Sequence, residues 1–239
     1  MLITTNAIVL SKIRYKDNDL IVTCYTQEKG VLSFLIRGVL KSKRGNSKAA
    51  YYQLLSQLQL VINFKENRNL HAIKEAKPIN IYQSLHTNIL KSAIVMFLAE
   101  VLATSLKEEE KNKGLYEYLE NALVLLDSQS NFANFHLLFL LKLTKYLGFY
   151  PDDTEIDFQY FNLSEGQFEL QPSNKHSISG ENLTLLKTML GINFDAISTL
   201  KISSQKRQTF LNMMLLYFEL HLGNFKKPKS LQIFNQVFN

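Results

Sequence analysis

Five cations fall within twelve residues, Arg37, Lys41, Lys43, Arg44 and Lys48, and no carboxylate lies among them. This pattern offers electrostatic rather than covalent chemistry. Several cations left together without counter-charge suit a partner that neutralises all of them at once, and a phosphate backbone does so. Gly38, Gly45, Asn46 and Ser47 give the loop the freedom to follow a phosphate path. Lys12, Arg14 and Lys16 lie near the end of the first strand-like run and extend the set. Tyr15, Tyr25, Phe34, Tyr51 and Tyr52 interleave with these cations, and rings beside a cationic track hold single strands without reading sequence. The competing reading is a solvated loop over core aromatics, and for any single ring the core reading is the stronger.

Other chemistries find less support. Lys41-Ser42 has the ending of a phosphate-binding loop, but Leu40 stands where that motif needs glycine. Cys24 is the only cysteine, so a zinc ribbon cannot be built, and its apolar surroundings suit a buried inert thiol. His71, His86, His136, His176 and His221 form no pair at helical spacing. The carboxylates of residues 152–169 lack the pattern of a calcium loop and read as a solvated acidic hairpin. No G-x-S-x-G elbow is present. The expectation is a protein that is not an enzyme and needs no metal or cofactor.

The elements that would carry these residues change type once along the chain. Residues 1–78 read as β: runs at Ile3–Leu10, Leu20–Thr26, Val31–Ile36, Gln57–Ile62 and Leu70–Glu75. Five short strands in that length suggest a small barrel of OB type, with the basic loop between the third and fourth strands. Pro78 marks the expected boundary. Beyond it, apolar residues recur at three- and four-residue steps, predicting helices over 89–102, 115–126, 132–147, 180–190 and 204–222. Gly148 followed by Pro151 is helix-stop chemistry. Phe158–Leu163 and Gln167–Leu170 read as a hairpin about Ser164-Glu165-Gly166. Lys226, Lys227 and Lys229 follow a helix end, where they complement its dipole or meet an acidic partner.

Charge divides the same way. Residues 1–80 carry 13 Lys and Arg against 5 Asp and Glu, a net of +8, while residues 81–239 carry 14 against 16, a net of −2. The first third therefore suits an anionic partner and the remainder something else. The lone cysteine suits a reducing cytosol. The apolar runs are too short to span a bilayer and the N-terminus lacks a signal-peptide pattern, so a cytoplasmic location without membrane contact is expected.

Taken in order, Ala7-Ile-Val-Leu10, Asn18-Asp19, Tyr25-Thr26 before Lys29-Gly30, Arg37-Gly38, Leu147-Gly-Phe-Tyr-Pro151 and Lys227-Pro-Lys-Ser230-Leu231 resemble the bacterial RecO family of recombination mediators across nearly the whole chain. The resemblance implies an α+β, multi-domain protein: an N-terminal OB-fold over 1–78, then a mostly α-helical domain over 79–239. It implies binding of single- and double-stranded DNA, strand annealing, and loading of RecA on strands covered by single-strand-binding protein (SSB), together with RecR. It places DNA and RecR on the barrel and the acidic SSB tail on the helical domain. Many members of that family carry a four-cysteine zinc finger after the Leu-Gly-x-x-Pro segment. Residues 152–171 here contain no cysteine, and a metal-free hairpin held by Phe158, Tyr160, Phe161, Leu163, Phe168 and Leu170 is expected instead. A non-catalytic protein–protein adaptor with only weak nucleic-acid binding is the alternative.

Overall fold

The computed structural model describes residues 1–41, 48–106 and 111–238. Lys43 and Arg44 of the basic loop lie outside the described residues. Two compact units divide the chain, Met1–Ser128 and Gln129–Asn239.

In the first unit the strands are β1 (Leu2–Tyr15), β2 (Asp19–Thr26), β3 (Gly30–Ile36), β4 (Gln57–Asn63) and β5 (Ala72–Pro78). Their order is β3-β2-β1-β4-β5. The long β1 pairs antiparallel with β2 on one edge and β4 on the other. The sheet closes where His71, just before β5, bridges Phe34 of β3 in parallel. There the Leu35 N–H donates to the His71 carbonyl at 3.1 Å, and the His71 N–H donates to the Ser33 carbonyl at 2.9 Å. Closure of five strands in this order makes an OB-type barrel.

Alternation fills it. Ala7, Val9, Leu20, Val22, Cys24, Leu32, Phe34, Leu58, Leu60 and Ile62 form its core. Ile8 and Leu10 are buried too, although they lie on the opposite face of β1, because helix α1 (Ile89–Ser105) packs against that strand. This explains the unbroken apolar run Ala7–Leu10. Asn88 caps α1, its side chain accepting from the Leu90 and Lys91 N–H groups at 3.0 and 3.1 Å. Helix α2 (Lys113–Ser128) joins the barrel through Tyr116, which stacks on Tyr25 at 6.2 Å. Pro78 is the last residue of β5, and the compact unit continues to Ser128 through these two helices.

The second unit is built on α3 (Phe135–Leu147), α4 (Gly180–Leu190), the short α5 (Phe194–Ile197), α6 (Ser204–His221) and α7 (Leu231–Val237). Gly148 ends α3 in the left-handed conformation, φ 85°, as its position predicts. A three-stranded sheet of order β7-β6-β8 joins them, from β6 (Tyr160–Asn162), β7 (Gln167–Glu169) and β8 (Ser177–Ile178). The fold is α+β. Among the described residues no helix is long and apolar enough to cross a membrane.

Candidate nucleic-acid interface

The start of the basic loop is held rather than free. After β3 the chain turns through Gly38 at φ 66°. The Asp19 carboxylate accepts the Gly38 N–H at 2.7 Å, and the Asn18 carbonyl accepts the Leu40 N–H at 3.0 Å. Val39, 6% exposed, anchors the turn in the barrel core. The pair Asn18-Asp19 thus fixes the path of the chain at Arg37 and Lys41, both of which are exposed.

A cleft of about 1160 Å³ opens beside this turn, between the end of β3, the segment 48–52 and the edge strand β5. Arg37, Lys48, Arg68, Lys74 and Lys77 line it, and among the described residues Glu75 is the one lining carboxylate, leaving a net of +4. Glu75 is paired with Lys77 at 2.9 Å, both well exposed, so the pair is weak and yields easily to a phosphate. The β4–β5 register passes from Ile62↔Ile73 to Val61↔Glu75, leaving Lys74 as the extra residue of a bulge. Bulges re-aim a side chain and break an edge strand's ladder.

The sequence-derived cations distribute unevenly. Arg37 and Lys48 line the cleft, and Lys41 lies on the turn beside it. Lys12, Arg14 and Lys16 are exposed and are not among its lining residues. Arg14 is in register with Leu20, and Leu20 with Ile36. Two strand spacings, about 10 Å, therefore separate Arg14 from the cleft wall. The aromatics divide as well. Tyr25, Phe34 and Tyr52 are core, and burial, with a smaller contribution from Cys24, pushes the Tyr52 hydroxyl up to about 12. Tyr51 lines the cleft, and Tyr15 is 41% exposed with the Lys16 ammonium 5.5 Å from its ring centre. Burial also raises the Cys24 thiol far above its ordinary range, which leaves it unreactive.

Arg68, Lys74 and Lys77 escape the sequence reading. Residues 65–69 read as a polar break, Lys74 falls within the strand run Leu70–Glu75, and Lys77 lies beyond it. Only the β3–β5 closure at His71 brings them opposite Arg37. Their signal in the sequence is faint: a β5 segment, Lys74-Glu-Ala-Lys77, too polar for a central strand.

In the second unit the acidic segment resolves into structure. Phe161, Leu163 and Phe168 are buried, with Phe161 and Phe168 edge to face at 4.9 Å. Leu170 is 67% exposed and does not hold the hairpin, because the chain has left β7 by that point. Glu169 serves the sheet as an acceptor: the Ser173 hydroxyl donates to it at 2.8 Å, the Asn162 amide at 3.3 Å, and the Ser177 hydroxyl also donates. Glu169 is thus committed to internal hydrogen bonds. Among the described residues no three His, Cys, Asp or Glu side chains converge to hold a metal ion. Lys227 pairs with Glu219 of α6 at 3.3 Å.

Comparison with known proteins supplies a family. Residues 1–82 match the model of the recombination protein O N terminal, and residues 86–232 match that of its C terminal. The chain is 48% identical to the DNA repair protein RecO of Christiangramia forsetii over 238 residues, covering 100% of both chains. It is 42% identical to that of Flavobacterium johnsoniae and 33% to that of Bacteroides fragilis, again over 100% of each. A barrel with a cationic cleft, a helical unit behind it in sequence and matches along its whole length lead to one conclusion: the chain belongs to the RecO family of DNA repair proteins.

Proposed function

We propose that this chain is a DNA-binding recombination mediator. It binds single- and double-stranded DNA, anneals complementary strands, and with RecR helps to place RecA on strands covered by SSB. The observation that carries this reading is the cleft between β3 and β5, with five cations against one carboxylate on an OB-type barrel. Annealing needs no reacting group. A cationic surface lowers the repulsion between two phosphate backbones and leaves the base edges free to pair. Lys41, on the turn beside the cleft, extends the track, as do Lys12, Arg14 and Lys16 toward the β1–β2 turn; Lys43 and Arg44, outside the described residues, are proposed as DNA contacts from their place in the cationic run of the sequence. The chain acts without catalysis and without metal or cofactor, in the cytoplasm. RecR docks on the barrel, and the helical unit receives the SSB tail.

The test is annealing of complementary oligonucleotides, bare and SSB-coated, by the full chain and by an Arg37→Glu/Arg68→Glu/Lys74→Glu variant. The wild type is expected to anneal both substrates, and the variant to lose at least about ten-fold in rate at moderate salt. Equal rates for the two proteins would remove the cleft from the mechanism. Absence of annealing by the wild type, with only weak binding, would favour a protein–protein adaptor.

A further inference from the structure

His71 stands apart from the cations of the cleft. It lines the cleft, yet the residue is 5% exposed and its Nδ1 is buried with no hydrogen-bond partner among the described residues. The ring stacks on Phe64 at 5.1 Å and lies against Phe34 at 6.2 Å. Its backbone forms the barrel seam, bonded to Ser33 and Leu35, so the residue's place at the cleft is set by closure of the barrel.

The charges around it are almost all positive. Arg68 stands three residues before it, Arg37 follows β3, and Lys48 opens the segment 48–52. β5 contributes Lys74, Lys77 and Glu75, the last paired with Lys77. From the β2–β3 turn, the Lys29 ammonium lies 4.8 Å from the centre of the Phe64 ring. Burial, and then Arg68, hold the imidazole below its ordinary pKa, so it is neutral at pH 7. A phosphate backbone in the cleft offsets the positive charge beside this ring and so favours its protonation. Linkage is reciprocal: whatever raises the ring's affinity for a proton is bound more tightly once the proton is there.

We propose that nucleic acid entering the β3–β5 cleft is accompanied by proton uptake at His71, so that affinity for a phosphate backbone rises as pH falls. This rests on the reading of the cleft as the nucleic-acid site. His71 is the seam residue that couples occupation of the cleft to protonation, and Phe64 and Phe34 keep its ring from turning out to bulk water.

The experiment measures binding of a rhodamine-labelled oligothymidylate by the full chain at constant ionic strength between about pH 8 and about pH 6, for wild type and His71→Phe. The affinity of the wild type is expected to gain about five-fold more over this range than that of the variant. Calorimetry at about pH 6.5 in two buffers of different ionisation enthalpy should show a net, fractional proton uptake by the wild type, and less by the variant. Parallel pH profiles and equal proton counts would overturn the proposal while leaving the cleft reading intact. Binding that ignores both pH and the cleft cations would overturn both. If His71→Phe does not fold, the nuclear magnetic resonance titration of the His71 ring in the wild type decides. A pKa raised by oligothymidylate supports the coupling, and an unmoved one overturns it.

Discussion

At the scale of single residues, the second unit depends on small groups in fixed places. Gly166 turns between β6 and β7 at φ 72°, and a Cβ there would meet the Tyr217 hydroxyl at 2.8 Å. That hydroxyl donates to the Phe149 carbonyl at 2.8 Å and so joins α6 to the segment after α3. Gly148 has a similar φ, but nothing lies within 4 Å of its added Cβ. Gly148→Ala should therefore cost only the left-handed backbone, about 1–2 kcal/mol. Gly166→Ala should cost about 2–4 kcal/mol, since it adds crowding to the same backbone strain. Urea unfolding of the two variants checks the ranking. His136 gives a second residue-scale prediction. Burial, and then Arg207, hold its pKa at about 3, with the ring edge-on to Phe234 at 4.8 Å. The unfolded imidazole takes up its proton near pH 6.5 and the folded one only near 3. Stability of the second unit should fall as pH drops through that window, by up to ~1.4 kcal/mol per pH unit. Thermal melts of His136→Phe should show a shallower fall over the same range.

Among the elements, the segment between β5 and α1 hangs on one carboxylate. Asp127, at the end of α2, accepts the N–H groups of Gln83, Ser84 and Leu85 at 2.7–2.9 Å and the Ser84 hydroxyl at 2.9 Å. The buried Lys91 ammonium donates to the Asp127 carbonyl at 2.7 Å and to Ser84 Oγ at 2.8 Å. Burial acts to raise the Asp127 pKa, but the hydrogen bonds outweigh it and hold the group below its ordinary value. A depressed carboxylate stabilises the fold above its unfolded pKa, near 3.9, and that stabilisation disappears as pH falls through the lower folded value. Asp127→Asn should cost about 1.5–3 kcal/mol at neutral pH and lessen the acid sensitivity below about pH 4, read from urea midpoints across pH. At this scale the sequence reading succeeds where burial leaves a period, as in β2, β3 and β4, and stops where it does not. β1 continues five residues past Leu10 because a bulge and pairing with β2 extend it, while Lys12, Ile13 and Arg14 are all exposed and carry no burial signal. β8 has two residues and α5 four, both too short to show a period.

For the whole molecule, charge is the organising quantity. A net of +8 on residues 1–80 against −2 on the rest is visible in the sequence and points to the barrel. The cleft itself is not visible there. Arg37 and Lys48 belong to a run of cations, whereas Arg68, Lys74 and Lys77 are scattered and meet the others only through closure of β3 on the chain at His71. Adjacency created by barrel closure has no signature in local spacing. The turn that aims Arg37 is equally non-local, because Asp19 reaches it from the start of β2, the strand paired with β3. Asp19→Ala should loosen that turn and weaken binding several-fold without changing the number of cations, a loss that anisotropy with a labelled oligonucleotide would measure. The central claim, that the β3–β5 cleft holds a phosphate backbone, is tested most directly by the affinity for labelled single-stranded DNA at several salt concentrations. The proteins compared are the wild type and the Arg37→Glu/Arg68→Glu/Lys74→Glu variant. With about five cations on the strand, the wild-type log–log slope should be near ~−3.5, and the variant should bind more weakly with a slope reduced by ~2. Equal affinities and equal slopes would contradict the account.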